Sequence, residues 1–202
     1  MKKTLAAGLF LIGLGAVPAS AGEVGLILDK QFGKAQAVNA AMTGMPAGNY
    51  DAVSPTGVGI RAGLTFLDLK VAEIGLALTY HPKAEGDLKF PGGAVGKYST
   101  EYVAIGVQAD WKFLLNLHAG LDMRSEKLTS TTPAGLRDST TVTRPWVKAG
   151  VGFSVPTPVV SPFVRLEVAM PLSKEDKTAS PEDFRKAMAP ALQVSLYGGI
   201  RF

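Results

Sequence analysis

The chain has 202 residues, 47% of them hydrophobic, a formal net charge of +4, 23 glycines and no cysteine. That length suits one domain, and so small a charge gives no reason to expect nucleic acid as a partner. The lack of cysteine excludes a disulfide scaffold, a thiol nucleophile, a Cys-bound metal and a lipid-modified cysteine.

The first element is an export signal. Lys2 and Lys3 form a positive start, Leu5 to Val17 is an apolar run, Pro18 breaks it, and Ala19-Ser20-Ala21 offers small residues for cleavage. Residues 1–21 are therefore expected to be a cleaved signal peptide, and residues 22–202 one domain. The apolar run falls short of the roughly 20 residues of a spanning helix. No later stretch is apolar enough for one either.

From there on the chain alternates with period two, which marks strands whose two faces meet different surroundings. A first, weak strand runs near Val24 to Phe32, with Val24, Leu26 and Leu28 set against Gly25, Ile27 and Asp29. A long link near 33–55 follows, in which Gly33 to Thr43 reads as a short helix. Val58 to Phe66 alternates with Gly57, Gly59, Arg61, Gly63 and Thr65; a short turn near Asp68 leads to Ala72 to Tyr80, alternating with Glu73, Gly75, Ala77, Thr79 and His81. Residues 82–98 are expected to form a long loop. Val103 to Trp111 and Leu115 to Met123 are the next pair, joined at Phe113-Leu114 and carrying Asp110, His118, Asp122 and Arg124 on their polar faces. A second long loop is expected at 126–142. Val147 to Val155 and Val164 to Met170 follow, joined at Pro156-Thr157-Pro158, with Lys148, Arg165 and Glu167 among their polar residues. In the last link, 171–190, Ser180 as N-cap followed by Pro181 starts a short helix toward Met188. The final strand sets Leu192, Val194, Leu196, Ile200 and Phe202 against Gln193, Ser195, Tyr197, Gly199 and Arg201.

Long and short links alternate along the chain. Phe66, Tyr80, Trp111, Phe113, Phe153 and Phe202 sit near strand ends. The polar faces mix Gly, Ala and Ser with opposite charges rather than the exposed Lys, Glu and Thr of a soluble sheet. Together these features predict an all-β, closed antiparallel up-and-down transmembrane β-barrel of about eight strands, with long loops outside and short turns in the periplasm.

The segment Val194 to Phe202 (VSLYGGIRF) has an aromatic residue preceded by apolar residues at alternate positions. In this it resembles the assembly signal of outer-membrane proteins, with Val194, Leu196, Ile200 and Phe202 as the residues read. With the leader and the strand pattern, the chain resembles the small barrels typified by the OmpA membrane domain and OmpX. That resemblance implies the cell outer membrane of a Gram-negative bacterium, the barrel assembly machinery as a partner, and contact with outer-membrane lipid and lipopolysaccharide.

The candidate site is a set of polar-face charges from different strands: Arg61, Glu73, Asp110, Asp122, Arg124, Lys148, Arg165, Glu167 and Arg201. An eight-stranded interior is only wide enough for side chains to fill, and buried charges must be paired. The expectation is a salt-bridge network plugging the lumen rather than a gated pore.

The two histidines, His81 and His118, lack metal-ligand spacing, and His81-Pro82-Lys83 does not match the His-x-Ser pattern of the lipid A-modifying barrel enzymes. Neither a catalytic constellation nor a metal or other cofactor is expected. The lead function is a structural or surface-interaction barrel, with a narrow solute channel second and a lipid A-modifying enzyme third. Loop charges (Lys83, Glu85, Asp87, Lys89 and Lys97, then Glu126, Lys127, Arg137, Asp138 and Arg144) are the candidate surface contacts; no particular surface ligand is implied.

Overall fold

The computed structural model describes residues 21–33, 36–38, 47–52, 54–69, 71–112, 115–173 and 180–202. The strands are β1 (Gly22–Phe32), β2 (Gln36–Val38), β3 (Gly48–Ala52), β4 (Thr56–Leu69), β5 (Ala72–Lys89), β6 (Val95–Trp111), β7 (Asn116–Thr131), β8 (Arg137–Ser154), β9 (Ser161–Pro171) and β10 (Leu192–Arg201). One helix, α1 (Pro181–Ala187), precedes β10. The leader residues 1–20 and the turn residues Phe113 and Leu114 lie outside the described residues.

Eight strands close on themselves in the order β1-β4-β5-β6-β7-β8-β9-β10, all antiparallel, with β10 returning to β1 through Glu23 opposite Arg201 to Phe32 opposite Leu192. The short β2 and β3 extend the wall from β5, where Asp51 faces Lys89. Closure leaves the eight wall strands without a free edge at membrane depth. That is the condition a sheet must meet in lipid, where no water can satisfy unpaired backbone groups.

The two faces are inverted relative to a soluble protein. Leu26, Leu28, Val58, Ile60, Leu76, Val103, Ile105, Leu121, Met123, Leu166 and Leu196 are all exposed on the outside, while Arg, Lys, Asp and Glu are buried inside. Phe66, Trp111, Phe153 and Phe202 are exposed near strand ends, where aromatic belts stand in membrane barrels, whereas Tyr80, also exposed, lies midway along β5 rather than at its end. No helix among the described residues is long and apolar enough to cross a membrane.

Two expectations are corrected. The links at 82–98 and 126–142 are not long loops. They are largely strand: β5 and β6 are joined by 90–94, and β7 and β8 by 132–136. β5 to β8 have 16 to 18 residues, against 11, 11 and 10 for β1, β9 and β10. The difference is about 20 Å of strand at roughly 3.3 Å per residue, so one side of the wall stands up above the membrane. The loop reading failed because the outer face turns polar once it leaves lipid, which erases the apolar rhythm. The second correction concerns Gly33 to Thr43. Beyond Gly33, its described part, Gln36–Val38, is strand paired with β3 rather than helix, and residues 34–35 and 39–43 lie outside the described residues.

A register shift between His81 and Ala84 keeps this projecting wall consistent. The bulge at Pro82-Lys83 moves the following side chains by one position. Ala84 and Leu88 then point inward, and Lys83, Glu85 and Lys89 stay outside.

A closed barrel resists detergent until heated. Unboiled protein should migrate differently from boiled protein on a denaturing gel; identical mobility would contradict closure.

Candidate functional site in the barrel interior

The interior is built in three tiers. In the lowest, Arg201 on β10 reaches Glu23 on β1 at 3.1 Å and Glu73 on β5 at 3.5 Å. Gln108 donates to Glu23 at 2.9 Å, and Lys112 at the rim holds Glu73 at 2.6 Å.

Above it lies the densest cluster. Arg61 on β4 donates from a single guanidinium nitrogen, Nη1, to both oxygens of Glu167 on β9, each at 2.8 Å, a charge-assisted contact stronger than a neutral hydrogen bond. Arg165 donates to Asp110 at 2.7 Å and to Glu167 at 3.3 Å. His118 stands between the same two carboxylates, 3.1 Å from Asp110 and 3.6 Å from Glu167. Lys148 donates to Asp122 at 3.0 Å. Ile27, Phe163 and Tyr197 fill the space beside them as a small apolar cluster, and the Arg61 guanidinium lies 4.6 Å from the Tyr197 ring centre.

The upper tier turns on Asp29 of β1, which is fully enclosed. Its carboxylate accepts from Gln31, Tyr102 and Gln193, and His81 Nε2 stands 3.0 Å away. The other ring nitrogen of His81, Nδ1, is 2.8 Å from the Pro82 carbonyl. A carbonyl only accepts, so that nitrogen carries a proton. Arg124 is layered between Tyr102 and Trp146, at 4.1 and 3.9 Å from their ring centres, and donates to Gln193. Arg144 bonds Glu126 at 2.9 Å and the Pro190 carbonyl at 3.0 Å.

Over this tier sits an apolar roof. Tyr50, Leu88, Tyr98, Leu128, Val142, Phe184, Met188 and Ala189 form one buried cluster, with Phe90 at its edge. Helix α1 carries Phe184 into it; the ring meets Tyr50 edge-on at 4.8 Å. Ser180 caps the helix by accepting from the Asp183 N–H, with Pro181 in the first turn. Tyr98 donates to the Met188 carbonyl at 3.1 Å, and Arg185 pairs with Asp138 at 2.7 Å. On the helix's solvent side, Lys186 bonds Glu182 at 2.8 Å and holds that carboxyl below its ordinary range.

Glycines opposite the long side chains make these tiers possible. A Cβ on Gly57 or Gly59 would collide with the His81 ring, one on Gly106 with Asp122, and one on Gly120 with Lys148. Each charged side chain thus lies flat across a neighbouring strand that has nothing there to obstruct it.

The structure brings the sequence-derived charges together as follows. Arg61, Glu73, Asp110, Asp122, Arg124, Lys148, Arg165 and Glu167 are buried inside, and Arg201 is half-buried at the lower mouth. Sequence reasoning missed Glu23, Asp29, Gln31, Tyr102 and Gln193, and it assigned Glu126 and Arg144 to a loop. Both are interior residues of β7 and β8, 1% and 2% exposed. The alternation itself could have found them, since Glu126 and Arg144 continue the inward parity of Asp122-Arg124 and Trp146-Lys148. Ser125 is exposed outside the wall, and Glu126 is committed to Arg144. Among the described residues no group of three or more His, Cys, Asp or Glu is arranged to hold a metal. The outward row of β10 exposes Leu196, Ile200 and Phe202, with Val194 half-buried above them.

A closed eight-stranded wall, apolar outside, charged inside and belted with aromatics, defines an integral β-barrel of the bacterial outer membrane, seated among that membrane's lipids. Solved structures similar to it include Ail, the attachment invasion locus protein of Yersinia pestis, free and in complex with the heparin analogue sucrose octasulfate, and Neisserial surface protein A (NspA). Ail is 12% identical with a TM-score of 0.48; the match covers 91% of this chain and 97% or 99% of the Ail chain in the two structures. NspA is also 12% identical with a TM-score of 0.48, over 90% of this chain and 94% of that one. No family model and no curated protein matches the chain.

Glu167→Ala leaves Arg61 and Arg165 without their shared carboxylate. Removing one partner of a buried pair costs about 3–5 kcal/mol, read as a lower urea midpoint in detergent; an unchanged midpoint would contradict a paired interior. Gly106→Val should also lower that midpoint, because its side chain would occupy the place of the Asp122 carboxylate and its neighbouring backbone.

Proposed function

We propose that this protein is a sealed, non-enzymatic outer-membrane barrel that serves as a structural or surface-interaction scaffold. One observation carries the reading: the apolar roof of α1 and the projecting strands lies over an interior already filled by paired charges. Opening a path would require breaking shared ion pairs and leaving their buried charges unpaired, an expensive step. The nine sequence-derived charges, Arg61, Glu73, Asp110, Asp122, Arg124, Lys148, Arg165, Glu167 and Arg201, act in this reading as the plug. His81 lies beneath the roof and inside the wall, away from a lipid substrate, which supports a role in that plug rather than in lipid chemistry.

The contact surface is then the projecting sheet of β5 to β8. Its outer face carries Lys83 paired with Glu85 and Lys97 paired with Asp87, together with the exposed hydroxyls of Ser125 and Ser139. Function gathers on segments held above a rigid scaffold, and this sheet rises first through the layer of lipopolysaccharide headgroups. Residues 1–21 act as a cleaved signal peptide, and Val194, Leu196, Ile200 and Phe202 as the stretch handed to the barrel assembly machinery.

Purified protein in planar lipid bilayers should give no conductance steps at neutral pH. Discrete steps from the folded barrel would replace the sealed scaffold with a narrow channel.

A further inference from the structure

The periplasmic turns are not alike. On the side of β4, β5 and β6, exposed Leu67, Leu69 and Val71 are interspersed with charge: Asp68 pairs with Lys112 at 2.8 Å, and both charged side chains reach water. Four strands around the wall, the turn between β8 and β9 spans residues 155–160 (VPTPVV), and no charged residue occurs from 149 to 164. Val155 is 46% exposed and Val159 80%, while Val160 is also exposed, and Phe153, Ile200 and Phe202 are exposed beside them. Pro162 faces Ile200 across β9 and β10. The lipid-facing apolar belt thus runs without interruption past the strand ends and into this turn.

Part of the turn's hydrogen bonding is internal. Pro156 and Pro158 have no N–H. The Val155 N–H donates to the Pro162 carbonyl at 2.9 Å. The Thr157 N–H donates to the Ser161 hydroxyl and the Val160 N–H to the Thr157 hydroxyl, each at 3.3 Å, and the Thr157 hydroxyl in turn donates to the Val160 carbonyl. Of the N–H groups in this turn, that of Val159 has no partner here, and the carbonyls of residues 155–159 remain open to outside donors.

We propose that the 155–160 turn is immersed in the phospholipid of the periplasmic leaflet, anchoring the β8–β9 side of the barrel more deeply than the side opposite. Uncharged apolar surface continuous with the belt favours lipid over a protein partner, which would be expected to meet some charge or hydrogen-bonding group.

The chain has no cysteine, so Val159→Cys offers a single labelling site, with Ala134→Cys in the extracellular turn as the control; heat-dependent gel mobility confirms that each variant is a folded barrel. Each is labelled with bimane and reconstituted in phosphatidylethanolamine–phosphatidylglycerol vesicles, with iodide on both sides of the membrane. The label at 159 should emit further to the blue than that at 134, be quenched by nitroxide-bearing lipid and be shielded from iodide. Emission and iodide quenching equal to the control would overturn the proposal. So would a cysteine at 159 that is water-exposed in vesicles yet protected from maleimide in cells, since a protein would then be covering the turn.

Discussion

The structure rests on the requirement that a backbone in lipid satisfy every polar group by itself. A sheet meets it only by closing, and with eight strands the closed interior is so narrow that side chains must fill it. Once the interior is that narrow, its chemistry is constrained too. Any charge placed there loses most of its hydration and needs a partner within reach. Glu167 shows how tightly this is met: it serves Arg61 and Arg165 and lies beside His118, so three strands, β4, β7 and β9, depend on one carboxylate. Asp29 does the same nearer the roof for residues of β1, β5, β6 and β10. The glycines follow from the same shortage of space, because a long side chain can cross a neighbouring strand only where that strand carries no Cβ.

The wall changes character where it leaves the bilayer. Within lipid, β5 to β8 are apolar outside and charged inside. Above it the pattern inverts: Leu88, Tyr98, Leu128 and Val142 turn inward to the roof, and Lys83, Glu85, Lys97 and Lys127 face out. The hairpins are transmembrane at their base and resemble a soluble sheet at their tips. The solvent on the outer face decides which side must be polar. Arg144 joins the two regimes, bonding Glu126 on the neighbouring strand β7 and the Pro190 carbonyl of the segment that follows α1.

This inversion also explains what could be read from the sequence. Membrane-depth strands were legible because one rhythm, apolar out and polar in, held from Val58 to Phe66 and again from Val103 to Trp111. The nine charges found from sequence all belong to that rhythm. Glu126 and Arg144 were lost because they lie where both faces contain polar residues, so only the parity carried up from Asp122-Arg124 and Trp146-Lys148 marks them as inward. Asp29 was hidden for a different reason. Its strand puts Ile27 inward against Phe163 and Tyr197, which blurred the polar face of β1. The pairing of Arg61 with Glu167, 106 residues apart, depends on the closure of the whole wall, and no local pattern encodes it.

The extracellular sheet and the interior are therefore not free to vary in the same way. An inward substitution at membrane depth disturbs several strands at once through shared carboxylates, and its steric limits are set by glycines on the neighbouring strand. An outward substitution above the bilayer, at Ser125 or Lys127 for instance, touches no interior partner. The fold thus separates a fixed part from an adaptable one along the strand axis. The long hairpins of β5 to β8 place the adaptable part beyond the lipid, held upright by the roof cluster beneath their tips. Because each long strand is continuous through both regions, the rigidity of the charged interior is passed directly to the surface that faces the cell's surroundings.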